Sequence, residues 1–159
     1  MLIRPNYNLD SIYDIDTEEL KSVGIKGLFF DLDSTLMKSK SGKFAFKTIQ
    51  YLNDLKTNFK LAIITNNKNQ NYIQKAASQT DIPIYSEAKK PDTKILLKAC
   101  GDLNINPTQV AMVGDRPLSD ILGGKNAKMT TILVDSISKD EENVIVRFAR
   151  FLERLTIEK

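Results

Sequence analysis

Gly27-Leu28-Phe29-Phe30-Asp31-Leu32-Asp33-Ser34-Thr35 joins an unbroken apolar run to two aspartates set two residues apart. Four residues in a row without a polar side chain suit a strand covered on both faces, because a strand with one wet face alternates. Such strands belong to parallel sheets, and this one hands the chain to Asp31 and Asp33 at its carboxyl end. Period-two geometry sends both carboxylates to the same side. In open α/β sheets that side is the crevice where ligands bind. In isolation, an aspartate-rich turn would read the same way.

Outward from this stretch, four more short apolar runs recur at residues 61–64, 82–85, 110–113 and 131–134. Segments with helical spacing lie between them, at 44–56, 69–78, 93–103 and 118–127. Strands alternating with helices imply βαβ crossovers, so the expected fold is α/β, a doubly wound parallel sheet with helices on both faces. Asp16-Thr17-Glu18-Glu19 has the pattern of a capping box, with Gly24 closing the short helix it opens. Asp140-Glu141-Glu142 is expected to open a last, long helix. The first fifteen residues carry no pattern that places them. At 159 residues the chain is read as one domain: a lead and short helix at 1–24, a core at 25–135 and an amphipathic helix at 136–159.

Composition narrows the chemistry. The apolar share of 42% and charged share of 27% are those of a folding globular chain. The absence of histidine removes Ser-His-Asp and Cys-His nucleophile systems and every His-ligated metal site. Cys100 alone makes neither an internal disulfide nor a thiolate cluster, and its apolar surroundings in sequence predict a buried thiol. A net charge of +3 is too small to argue for nucleic acid, and none is expected as a partner. The apolar runs are far shorter than a bilayer span, and residues 1–5 lack a signal-peptide pattern, so a cytoplasmic location is expected.

The run at 110–113 also ends in acid, as Gly114-Asp115-Arg116-Pro117-Leu118-Ser119-Asp120. Two acidic strand ends converging on one crevice repel each other, and a divalent cation would relieve that repulsion. Oxygen donors without His or a Cys cluster select a hard ion, and Mg²⁺ suits carboxylates that leave room for water and phosphate. The second strand ends in Thr65-Asn66-Asn67, and Lys89-Lys90-Pro91 follows the third. Taken in order, the strand ends offer a carboxylate pair, a hydroxyl, an ammonium and a second carboxylate pair, a set that fits phosphoryl transfer.

These residues resemble the four motifs of the haloacid-dehalogenase-like (HAD) phosphatases: Asp31-x-Asp33-x-Thr35, Thr65, Lys90 and Gly114-Asp115-x4-Asp120. The resemblance spans about residues 25–135. The N-terminal lead, the Thr65-Asn66-Asn67 triplet, Ala88-Lys89-Lys90-Pro91 and Leu122-Gly123-Gly124 are similar to the YqeG-type branch of subclass IIIA, itself similar to phosphatidylglycerophosphate phosphatases. The resemblance implies that Asp31 is the nucleophile forming an aspartyl phosphate and that Asp33 is the general acid and base. It implies Mg²⁺ on Asp31, Asp115 and the backbone carbonyl of Asp33, with Thr65, Asn66 and Lys90 at the substrate phosphate. Thr35 and Asp120 would support these groups from behind. The substrate implied is a phosphomonoester, with a lipid phosphate favoured.

Only 27 residues separate Leu36 from Ala62 and 23 separate Asn66 from Ala88, counting both ends, too few for an inserted cap domain. The site is therefore expected to be open, with its other wall supplied by a second subunit of a homo-oligomer, a protein substrate or a membrane. In the last helix, Val144, Ile145, Phe148, Phe151, Leu152 and Leu155 share one face, flanked by a ridge of Arg147, Arg150 and Arg154. The apolar face would pack on the core with the ridge in solvent, or the ridge would meet anionic lipid headgroups in a peripheral membrane contact. Phosphatases of small soluble or protein monoesters, and non-enzymatic phospho-acceptor or binding modules, remain alternative readings.

Overall fold

The computed structural model describes residues 3–138 and 144–157. Six parallel strands form one sheet: β1 (Tyr7–Leu9), β2 (Gly27–Phe30), β3 (Lys60–Ile64), β4 (Ile84–Tyr85), β5 (Val110–Gly114) and β6 (Thr130–Val134). Their order across the sheet is β1-β6-β5-β2-β3-β4. The chain winds outward from β2 through β3 to β4, then returns to the other side of β2 for β5 and β6. That reversal between β2 and β5 opens a crevice at their carboxyl ends.

The helices are α1 (Thr17–Ser22), α2 (Phe46–Leu55), α3 (Gln70–Ala77), α4 (Lys94–Asp102), α5 (Leu122–Asn126) and α6 (Val144–Arg154). Alternation along β2 divides the core. Leu28 and Phe30 join Leu20, Leu52, Leu55, Ile73 and Ala76 on one face of the sheet. Phe29 joins Leu96, Ala99, Cys100 and Ala127 on the other. Each buried Leu, Ile or Phe among these contributes roughly 1.5–3 kcal/mol relative to exposure, which fixes the register of the central strands.

The strand that the sequence left unplaced is β1, paired with β6 through Tyr7 opposite Ile132 and Leu9 opposite Val134. Three residues at a sheet edge carry too short a pattern to read. The expected capping of α1 is observed, with the Asp16 carboxylate accepting the Glu19 amide at 3.0 Å. The expected helix over 118–127 is divided, a π-turn at Pro117–Ile121 running into α5. The acidic start expected at 140–142 lies outside the described residues.

The last helix corrects the sequence reading of its faces. Ile145, Phe148, Phe151, Leu152 and Leu155 are 47–79% exposed. Two of its arginines instead turn toward the carboxyl ends of the strands, while Arg147 is exposed: Arg150 pairs with Asp115, and Arg154 donates to the Val134 carbonyl at 2.8 Å. The apolar face does not pack on the core because deeply buried carboxylates at the sheet ends draw the guanidinium groups inward. Past α6, Ile157 bridges Ile3, tying the end of the helix to a small cluster with Ile121 and Leu133.

Candidate active site

β2 delivers Asp31 to the crevice, its amide still in the ladder to Val113 O at 2.9 Å. The next turn is tight enough to hold Ser34 at a φ of 67°. It brings Thr35 back beneath the acids, where its hydroxyl donates to Asp115 Oδ1 at 2.9 Å and lies 3.5 Å from Asp31 Oδ2. Asp115 follows β5 directly. Asp120 returns from the π-turn to accept the Arg116 amide at 3.1 Å. Only glycine fits at position 114, since a Cβ there would lie 2.2 Å from Asp120 Oδ2.

Lys90 binds this group together. Its ammonium donates to Asp31 Oδ1 at 2.8 Å, to Asp120 Oδ1 at 2.7 Å and to the Ile64 carbonyl at 2.7 Å. Three acceptors take its three hydrogens. Burial opposes the charge on Lys90, but Asp120 and Asp31 outweigh it and push its pKa above the usual lysine range. The same burial raises Asp31 and Asp120 each to about 6, with Lys90 pulling both down and their fellow carboxylates pushing them up. Asp115 is raised as well, by burial and Asp120, against the pull of Arg150.

Carboxylate oxygens of Asp31, Asp115 and Asp120 lie within 4.8 Å of one another. Three buried acids meet one lysine and one arginine, and an all-oxygen donor set of that kind fits a hard divalent cation. All three acids already accept from neighbouring donors; Asp31, which lines the crevice, and Asp115, which follows β5 beside it, would hold the ion. The side chain of Asp33 stands apart from this group. Its Oδ1 accepts the Tyr72 hydroxyl and its Oδ2 accepts the side-chain Nδ2 of Asn67 at 3.4 Å.

Asp31, Asp33, Thr65, Asn66 and Lys90 all line one crevice of about 940 Å³. Thr65 is buried at the end of β3, its hydroxyl oxygen accepting the Asn67 amide at 3.1 Å. Asn66, which the sequence resemblance places at the substrate phosphate, holds the backbone of Lys90 at the edge of the crevice. Its Oδ1 accepts the Lys90 amide at 2.7 Å and its Nδ2 donates to the Lys90 carbonyl at 3.1 Å, so both ends of its amide clamp Lys90. Lys90 likewise serves Asp31 and Asp120 before any phosphate. Asp120 and Thr35 lie buried against Lys90 and Asp115.

Two residues that contact the candidate site are absent from the sequence reading of it. Tyr72 sits one turn into α3, where only its nearness to the Thr65-Asn66-Asn67 strand end could have flagged it. Arg150 was read as part of a surface ridge, yet it lines the crevice with Ala149 and Glu153. α6 therefore supplies part of the wall that the absent cap leaves missing. Glu153 is held there by Arg116 at 2.7 Å.

Comparison with known proteins agrees with this geometry. Residues 87–153 match a family described as HAD-hydrolase-like. The chain is 29% identical to the "Probable phosphatase YqeG" of Bacillus subtilis, across 94% of this chain and 87% of that protein. It is 26% identical to the chloroplastic and mitochondrial phosphatidylglycerophosphate phosphatase 1 of Arabidopsis thaliana, across 95% of this chain but 46% of that one. The crystal structure of a HAD phosphatase from Thermococcus onnurineus superposes with a TM-score of 0.57 at 17% identity, covering 75% of this chain and 89% of the other, and shares its fold.

Proposed function

We infer the following mechanism from the premise that this chain belongs to the HAD-like hydrolases and is a phosphatase: Asp31 attacks the phosphorus of a monoester and carries the phosphoryl group as an aspartyl phosphate. The observation that carries this reading is the position of Asp31, held by Lys90 at 2.8 Å at the open end of β2 beside Asp115. Lys90 stabilises the ionised nucleophile, and Thr35 steadies Asp115. Asp33 donates a proton to the leaving alkoxide, then takes one from the water that hydrolyses the intermediate. Tyr72 and Asn67 fix the orientation of that carboxyl group. Thr65, at the end of β3, offers its hydroxyl hydrogen to a phosphoryl oxygen. Mg²⁺ on Asp31 and Asp115, when bound, would offset charge between the anionic nucleophile and the anionic ester.

The substrate we propose is a lipid phosphate, phosphatidylglycerophosphate first among candidates. The Arabidopsis relative supports that choice, as does the exposed apolar face of α6 on the helix that walls the crevice. A helix about 10 Å across would bring a membrane-bound headgroup near Asp31 while the acyl chains stay in the bilayer. No helix among the described residues is long and apolar enough to cross a membrane, so the contact proposed is peripheral.

The test is phosphate release from phosphatidylglycerophosphate in mixed micelles and from soluble monoesters, with Mg²⁺ and with chelator. Release that needs Mg²⁺ and favours the lipid supports the reading. Equal rates with chelator overturn the metal requirement, and no preference for the lipid overturns the substrate.

A further inference from the structure

We propose that Arg150 has two alternative anionic partners, Asp115 when the carboxylates hold no divalent cation and the substrate's phosphoryl group when they do. This rests on the phosphatase reading above and adds a substrate-binding residue that lies outside the four motifs.

The argument begins with what each oxygen of Asp115 does. Oδ1 accepts the Thr35 hydroxyl at 2.9 Å, and Oδ2 receives the Arg150 guanidinium. The Arg150 side chain is only 15% exposed and that of Asp115 is fully buried, so this is an enclosed ion pair and not a surface contact. A cation held by Asp31 and Asp115 needs the electron pairs that Arg150 now uses. Two positive groups cannot share that oxygen closely in a medium that screens them poorly. Cation binding and the Arg150–Asp115 pair therefore compete.

Arg150 does not leave the crevice when it loses Asp115. α6 is held by the Arg116–Glu153 pair at 2.7 Å, by Arg154 on Val134 O at 2.8 Å and by the Ile3–Ile157 bridge beyond it. The long side chain then swings while the helix stays. A phosphoryl group placed between Asp31 and Thr65 would bring an anion into the same crevice that Arg150 lines. A guanidinium matches two phosphoryl oxygens at once, a geometry an ammonium lacks.

The need for such a group follows from Lys90. All three of its hydrogens are committed to Asp31, Asp120 and Ile64 O. It can hold the nucleophile, but it reaches a phosphate only by giving one of these up. Arg150 instead exchanges one anion for another, keeping its charge matched in both states. With no cap domain present, α6 brings to the site a cation that the strand ends do not provide.

The experiment measures two affinities on the full chain and its Arg150→Gln and Arg150→Lys variants. Mg²⁺ is titrated calorimetrically without substrate, and inorganic phosphate is titrated at saturating Mg²⁺. Arg150→Gln should bind Mg²⁺ more tightly, because Asp115 no longer has to be released from its partner. It should bind phosphate more weakly, by about tenfold for a lost charge-assisted pair. Arg150→Lys should fall between it and the parent in both. A merely structural role would shift both affinities the same way, or neither, and either result overturns the proposal. Far-UV circular dichroism checks that α6 persists; if Arg150→Gln loses it, Arg150→Lys gives the same two readings on an intact helix. Failure of the parent chain to release phosphate from any ester would reject the phosphatase reading itself, whereas opposite shifts missing from an active enzyme reject only the role of Arg150.

Discussion

The Tyr72 hydroxyl donates to Asp33 Oδ1, and so a residue of α3 aims the carboxyl group two positions beyond the candidate nucleophile. Burial, together with that bond to Asp33, pushes the Tyr72 phenol above its ordinary range, so it stays a proton donor throughout the working pH range. The bond fixes the orientation of Asp33, leaving the proton transfers to its carboxyl group. Tyr72→Phe should lower phosphate release by about tenfold, a fraction of what a complete general acid contributes. Steady-state kinetics would show the loss in kcat with KM little changed, and an unchanged kcat would remove Tyr72 from the account.

Lys90 stands between two carboxylates with 1% of its side chain exposed. Removing its charge leaves Asp31 and Asp120 buried without their counterion. Lys90→Met should destabilise the fold by about 3–5 kcal/mol, the usual cost of breaking a buried pair from one side. Urea unfolding at pH 7 would measure it, and a loss under about 1 kcal/mol would show that the pair is solvated.

The raised carboxyls set a pH dependence with a definite sign. Unfolded aspartates ionise near pH 4, whereas Asp31 and Asp120 hold protons up to about 6. Between those values the native state binds more protons than the unfolded one. The stability they contribute is full below about pH 4 and lost as the pH rises through about 6. A divalent cation needs the ionised forms, so it restores stability on the alkaline side. Saturating Mg²⁺ should raise the melting temperature strongly at pH 7.5 and little at pH 5. Equal shifts at the two values would place the ion elsewhere.

The sheet and the acids were legible in the sequence because both are local. Leu28, Phe29 and Phe30 announce a strand covered on two faces, and Asp31 and Asp33 follow it without a gap. Thr65, Lys90 and Asp115 were found the same way, each at or after a strand end. What escaped depends on distance along the chain. Asn66 clamps the backbone of Lys90 from 24 residues away, and Tyr72 reaches Asp33 across 39. Neither carries a local pattern that names its partner. The orientation of α6 was misread for another reason. Periodicity divides a helix into an apolar and a basic face but does not say which turns inward, and here Asp115, Val134 O and Asp135 attract the basic one.

The claim on which the rest depends is that Asp31 takes the phosphoryl group. A single turnover with a labelled monoester in Mg²⁺, quenched in acid and followed by peptide mapping, reads this directly. The account predicts label on the peptide containing Asp31, no label and no turnover in Asp31→Asn, and slowed release of the label in Asp33→Asn. Label on another residue, or normal turnover by Asp31→Asn, would contradict it.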